Sequence, residues 1–325
     1  MIRSYVFNQG KLVGQDLDID SLKLVLHDKG LQVWVDMEAP TDAETKSILE
    51  DVFSYHPLAI EDCLTLSDRP KVDEYEDYLF LVIHAVDCTK GAQEFRTTEL
   101  DIFMGKDYLV TFHRDPLRSI TATIDRVMKN APALARAPDR LTHTILDQLF
   151  DYYQPVLDEL SAGIAELEEE MFTTKPSTEI LAAVVRTKKQ VTKLLQIVAP
   201  QREVIARFGR GEFKFVRAHL VPYYRDLFDA LARITGRAEG YRESLNTSLD
   251  VHLNLQQMQV NQIIKVLTVL ATLSLPIVVV TTYYGMNFHL PEYNLSAPLA
   301  ILWVFGISGA CTFTLFLWLK RKGWL

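Results

Sequence analysis

Apolar residues change their rhythm twice along the chain. Up to about residue 130 they come in short bursts: Gln32-Val33-Trp34-Val35-Asp36, Tyr78 to Ala85, Leu100-Asp101-Ile102-Phe103-Met104 and Tyr108 to Phe112. These bursts are rich in β-branched and aromatic side chains and predict strands. Thr41 with Glu44 three residues on is a capping box that opens a helix, so residues 1–130 are expected to form an α/β domain. Next, Leu141, Ile145, Leu149, Tyr153, Val156, Leu160, Ile164, Leu167 and Met171 recur three or four apart. That spacing predicts one helix, closed by Pro176, with a second helix reaching about Phe208. Gly209 and Gly211 interrupt the pattern, and no proline falls between Pro222 and Pro276. A nearly continuous helix over 222–284 is predicted, about 95 Å long at ~1.5 Å per residue.

The last rhythm is an unbroken apolar one. Ile263 to Thr282 carries a single charge, Lys265, over 20 residues, about 30 Å of helix and therefore a membrane span. Leu299 to Leu319 has no charge over 21 residues and is followed by Lys320, Arg321 and Lys322, which predicts a second span. The connecting segment 285–298 has no Lys or Arg, whereas basic residues flank the opposite ends of both spans. The positive-inside rule therefore predicts a multi-pass chain with both termini in the cytoplasm. Trp303, Trp318 and Trp324 fall near span ends, where such rings settle among lipid headgroups. A plain hairpin anchor needs no polar side chains, yet Asn261, Thr268, Thr272, Ser274, Thr281 and Thr282 lie in or beside the first span. The first helix is expected to be shielded and the second, almost purely apolar, to face lipid. Two helices cannot enclose a watery path, so conduction requires several copies of the chain.

Charge follows the same division. Residues 1–261 hold 30 Lys and Arg against 41 Asp and Glu, a net charge of −11. This argues against nucleic acid as a partner, since phosphates need a positive footprint, and is compatible with cation binding. Cys63, Cys88 and Cys311 have no CxxC spacing, which argues against a disulfide framework or a four-ligand zinc site. The N-terminal segment lacks the apolar stretch of a secretory signal. No G-x-x-x-x-G-K-[ST] loop occurs, so an ATP-driven pump is not expected.

Tyr284-Gly285-Met286-Asn287 at the outer end of the first span, with Leu290-Pro291-Glu292 after it, resembles the Gly-Met-Asn signature of CorA magnesium channels. The resemblance extends through Asn261 to Thr268, Val221-Pro222-Tyr223-Tyr224-Arg225-Asp226, His56 to Asp62 and Arg69-Pro70-Lys71, and so covers essentially the whole chain. It implies an α+β membrane protein of the inner membrane that assembles with itself into a homopentameric funnel. The expected organisation is a cytoplasmic α/β domain over 1–130, a helical stalk over 131–262, a pore-lining span over 263–284, an outer loop over 285–298, a lipid-facing span over 299–319 and a basic tail over 320–325. The family's zinc-transporting branch carries Gly-Ile-Asn where this chain has Met286, so the resemblance favours Mg²⁺ as cargo. The alternatives are Co²⁺, Ni²⁺ or Zn²⁺ through the same architecture. Beyond Mg²⁺ as transported and regulatory ion, no cofactor is expected.

Gly285, Met286 and Asn287 are expected to form the selectivity filter, Gly285 supplying backbone freedom for the turn. A ring of Asn287 amide oxygens can accept hydrogen bonds from the hydration shell of Mg²⁺, an ion that gives up water reluctantly. Helical spacing back from Asn287 puts Thr282, Val278, Leu275, Ala271, Leu267, Ile264 and Asn261 near one pore-lining face, the aliphatic members forming a hydrophobic constriction. The family's usual pore threonine stands at the position of Val278 and a glycine at that of Thr282, so the polar rung is shifted by one turn here. The resemblance further implies a regulatory metal site between subunits at Asp226, with Asp87 the nearest acidic partner and Thr89 at the aligned position. Asp229 and Asp250 are weaker candidates, and Glu292 is the acidic residue of the outer loop. A competing enzyme reading takes His56, Glu61, Asp62 and His84 as a hydrolytic metal cluster. Their spacing matches no HExxH motif, and His56 before Pro57 is expected to be a structural turn residue.

Overall fold

The computed structural model describes residues 1–28, 30–67, 69–87, 95–173, 178–286 and 297–324. It divides into two units, Met1–Ser248 and Leu249–Leu325. The first is built on a seven-stranded sheet. Strands β1 (Ile2–Asn8), β2 (Lys11–Gln15), β3 (Leu31–Glu38), β4 (Lys71–Glu74), β5 (Tyr78–Asp87), β6 (Arg96–Gly105) and β7 (Tyr108–His113) lie in the order β2-β1-β3-β7-β6-β5-β4. All neighbours are antiparallel except β3 and β7, which run parallel. The four expected strands are present as β3, β5, β6 and β7. The hairpin of β1 and β2 turns on Gln9 and Gly10, both with positive φ, the geometry of a two-residue hairpin loop. A side chain at Gly10 is also excluded by space, because its Cβ would lie 2.6 Å from the Pro132 Cα.

Both faces of the sheet are covered, which explains why β5 is buried along nearly its whole length. One face, carrying Val33, Val35, Met37, Phe80, Phe103 and Val110, packs on a layer that includes α1 (Ile19–Leu26) and α3 (Pro57–Leu64). In that layer Thr41 caps α2 (Asp42–Thr45) with the expected reciprocal bonds to Glu44, and His56 caps α3, its Nδ1 accepting from the Leu58 N–H at 3.2 Å. The other face, carrying Tyr5, Trp34, Leu81, Leu100 and Leu109, packs on α4 (Arg118–Leu134) and the helices after it. The predicted single helix over 141–171 is two, α5 (Pro138–Asp151) and α6 (Tyr153–Thr173). Pro155 has no N–H to continue the ladder and takes a first-turn position in a new helix, where none is needed. Helix α7 (Thr178–Gly209) ends where Gly209 and Gly211 were expected to break the pattern. Buried Tyr153 ties three elements together: its hydroxyl donates to the His84 carbonyl at 2.6 Å and accepts from Gln201, whose Oε1 accepts the His84 N–H.

The long helix α8 runs Val221–Tyr284 without a break, and the boundary between the two units falls within it. Its start is fixed in the first unit. Asp139, 2% exposed, accepts two bonds from the Arg217 guanidinium at 2.8 and 2.6 Å and one from the Arg217 N–H at 3.1 Å. Tyr224, wholly buried in the first turn of α8, donates to the Asp139 carbonyl at 2.8 Å. Removing the guanidinium leaves a buried carboxylate without its counter-charge. Arg217→Ala is expected to lower the thermal unfolding midpoint of the detergent-solubilised protein by roughly 5 °C or more, with Arg217→Lys recovering only part because it lacks the fork. An unchanged midpoint by circular dichroism speaks against this anchor.

Candidate functional site

The second unit consists of α8 from Leu249 onward and α9 (Ala297–Arg321). Both helices are long and apolar enough to cross a membrane. Along the spans the buried or half-buried residues include Val269, Leu273, Pro276 and Val280 in α8 and Val304, Ser308, Thr312, Leu315 and Leu319 in α9. Both sets recur three or four apart, so each helix buries one narrow stripe. Asn261, Ile264, Leu267, Ala271, Leu275, Val278 and Thr282 are all exposed. At about 100° per residue they centre almost diametrically opposite the buried stripe of α8. The seven residues expected to share a face therefore do so, and that face is left uncovered by α9.

Its polar members differ in state. Thr282 donates its hydroxyl proton to the Val278 carbonyl at 2.7 Å, which leaves the lone pairs of Oγ1 as acceptors. Asn261 Oδ1 accepts from Gln257 at 3.3 Å. Between them Leu267, Ala271, Leu275 and Val278 present only hydrocarbon. At the other end of the span, Lys265 Nζ donates to the Gly323 carbonyl at 3.0 Å.

Gly285 ends α8 for a different reason from the one expected. Its φ is not positive. Its N–H is shared between the Thr281 and Thr282 carbonyls at 2.9 and 3.2 Å, and a Cβ would meet the Thr281 oxygen at 3.1 Å. Close approach of the carbonyls, rather than left-handed backbone, is what favours glycine. Met286 follows, partly exposed; Asn287 and Glu292 lie outside the described residues.

The expected regulatory carboxylates are not gathered within one chain. Asp87, at the end of β5, pairs with Arg118 at 3.3 Å. That pair is exposed and contributes at most about 1 kcal/mol. Asp87 lines a cleft of about 1000 Å³ with Arg96, Asp115, Arg118, Asp125 and Lys193 among its walls. Asp226 and Asp229 stand exposed on α8 in the first unit, and Asp250 is exposed in the second. Thr89 lies outside the described residues. The hydrolytic cluster does not assemble either. His56 is occupied as a cap and packs on Tyr75, Asp62 bonds Lys71, and His84 Nε2 lies 2.7 Å from the Ser67 carbonyl.

Among the described residues one group of three acidic or histidine side chains does converge: Asp36, Glu38 and His113. Sequence reasoning passed over it. The available signal was the Asp-x-Glu step inside a strand, but His113 joins only through the β3–β7 register, which a sequence does not state.

Residues 31–321 match the family model described as CorA-like Mg²⁺ transporter protein. The chain is 30% identical to the YfjQ protein of Bacillus subtilis over 292 residues, covering 90% of this chain and 89% of that protein. It is 27% identical to the cobalt/magnesium transport protein CorA of Thermotoga maritima, over 95% of this chain and 87% of the relative. The complete structure of the CorA magnesium transporter from Methanocaldococcus jannaschii shares the fold, with a TM-score of 0.80, 21% identity and coverage of 99% and 98%.

The two opposed faces of α8 can be read by cysteine labelling in a chain stripped of its own thiols. Cysteines at Leu267, Leu275 and Val278 are expected to react about tenfold or more faster with a small water-soluble thiol reagent than cysteines at Val269 or Val280, as burial slows access. Equal rates across all five positions would sink the assignment of faces.

Proposed function

Because the chain belongs to the CorA-like Mg²⁺ transporter family, we propose that it is a divalent-cation channel which admits Mg²⁺ passively down the membrane potential. The observation that carries this reading is the exposed stripe of α8, aliphatic in its middle and polar at Thr282 and Asn261, opposite the side packed by α9. Polar groups such as these are disfavoured against lipid, and a ring of copies, five by family resemblance, turns these faces toward one axis. Gly285, Met286 and Asn287 form the mouth, where Asn287 oxygens hold the water shell of the ion. Leu267, Ala271, Leu275 and Val278 form the dry constriction that opens and closes by wetting. The outer loop with Glu292 adds negative charge near the entrance.

By the positive-inside rule, the basic residues Lys265, Lys320, Arg321 and Lys322 support a cytoplasmic position for both termini and with them the acidic first unit. The functional divisions follow the spans: 1–130, 131–262, 263–284, 285–298, 299–319 and 320–325. Asp226 of one copy and Asp87 of its neighbour collect Mg²⁺ and hold the path closed, with Asp229 and Asp250 in supporting positions. When cytoplasmic Mg²⁺ falls, like charges repel and the closed arrangement loosens. The driving force is about 4.6 kcal/mol for a divalent ion per 100 mV.

The deciding experiment is Mg²⁺ influx into proteoliposomes loaded with a magnesium-sensitive dye, at low and high internal Mg²⁺. Wild type is expected to conduct at low internal Mg²⁺ and to slow at high, while Asn287→Ala loses most of its flux or its preference for Mg²⁺. Influx of Zn²⁺ or Ni²⁺ alone would keep the architecture and overturn the cargo. Asp226→Ala is expected to shift inhibition to higher internal Mg²⁺; an unshifted inhibition curve removes Asp226 from the regulatory site.

A further inference from the structure

Asp36 and Glu38 stand two residues apart on β3, so strand alternation turns both side chains to the same face of the sheet. The parallel register sets Thr111 beside Asp36 and His113 beside Glu38. Asp36 is 0% and His113 1% exposed. One carboxylate oxygen from each acid and one ring nitrogen all lie within 4.8 Å of one another.

The hydrogen bonds around this group are incomplete in a telling way. His113 Nδ1 lies 2.8 Å from the Asp115 carbonyl oxygen, which can only accept, so Nδ1 carries a proton. In the neutral ring Nε2 is then a bare lone pair, and it faces Asp36 Oδ1, a second acceptor, at 3.2 Å. Two acceptors at that distance require something between them: a proton, carried by Nε2 or by the Asp36 carboxyl, or a metal ion bound by both. Asp36 is held in place by Thr111, whose hydroxyl donates to Oδ1 at 2.7 Å while accepting from the Trp34 indole at 3.1 Å. The other Asp36 oxygen, Oδ2, is buried without a partner. Glu38 gives Oε2 to Arg3 at 2.7 Å and keeps its side chain 24% exposed, the open side of the group.

We propose that Asp36, Glu38 and His113 bind one Zn²⁺, Co²⁺ or Ni²⁺ ion per chain, at a site separate from the Mg²⁺ path. One imidazole with two carboxylates is a donor set for borderline transition ions; Mg²⁺ prefers oxygen alone and keeps its water. Ligating histidines characteristically donate their second N–H to a carbonyl, as His113 does to Asp115. The 3.2 Å between Nε2 and Oδ1 suits two donors that each sit about 2.0–2.2 Å from one ion.

The test uses the full chain in detergent, stripped with chelator and dialysed against micromolar Zn²⁺ in large excess of Mg²⁺, with bound zinc counted per chain. Wild type, Asn287→Ala and Asp226→Ala are each expected to retain one Zn²⁺ per chain. Glu38→Gln and His113→Asn are expected to bind it about tenfold or more weakly. Glu38 is at the partly exposed edge, so Glu38→Gln should keep the metal-free melting curve of wild type, which separates lost binding from lost fold. Zinc retained equally by both site variants overturns the proposal. So does a wild type that holds none against Mg²⁺, in which case a proton shared between His113 and Asp36 takes the place of the ion. No step depends on ion flux, so the outcome is independent of whether the channel reading stands.

Discussion

In hydrocarbon every backbone polar group must be bonded within its own helix, and two helices can bury only one stripe of each other. That geometric limit governs the second unit. Once Val269, Leu273, Pro276 and Val280 are spent on the contact with α9, the opposite side of α8 is left uncovered by α9. Had that side been uniformly greasy, lipid alone would satisfy it. Thr282 within the span and Asn261 just before it make lipid a poorer neighbour at the two ends of this face, and the proposal of further copies rests on the distribution of a few hydroxyl and amide groups.

The first unit solves the converse problem, the burial of polar groups in a sheet covered on both faces. Several of the buried groups there are tied into sets of partners: Asp139 with Arg217, Tyr153 with His84 and Gln201, and one oxygen of Asp36 with Thr111 and His113. Such bonds add little net stability when made, but leaving one partner bare is expensive. They therefore specify which packing is allowed. Tyr224 and Arg217 on either side of the start of α8 hold the same short segment of α5, which fixes the helix origin more sharply than apolar contacts do.

Features whose physics is local were legible in the sequence. The Thr41 capping box, the strands of β3, β5, β6 and β7, the uninterrupted α8 and both apolar spans depend on neighbours within a few residues or on a single repeating period. The break at Asp151 was hidden because the apolar spacing from Leu141 to Met171 continues through it, and only Pro155 marks the restart. The strands β2 and β4 were missed because they are short and largely uncovered, and β1, though buried over Ser4 to Phe7, because it earns its state from cross-strand partners on β2 and β3. Gly285 was recognised for its position while its reason was misjudged: the choice between left-handed backbone and carbonyl crowding needs coordinates. The face of α8 followed from helical period alone, since a period assigns sides before it assigns neighbours.

The two kinds of candidate metal group in this chain also differ in a way that bears on their uses. Asp36, Glu38 and His113 are held by strand register and by hydrogen bonds before any ion arrives, so little ordering remains to oppose binding. Asp87, Asp226, Asp229 and Asp250 are exposed and separate, and an ion that collects such carboxylates must first overcome their solvation and the freedom of their side chains. Weak collection of that kind responds at high concentrations of an abundant ion, whereas a prearranged site with a nitrogen donor retains a scarce one. A sensor of its own cargo needs the first property, because a site that stayed filled at every cytoplasmic Mg²⁺ level could not report a fall.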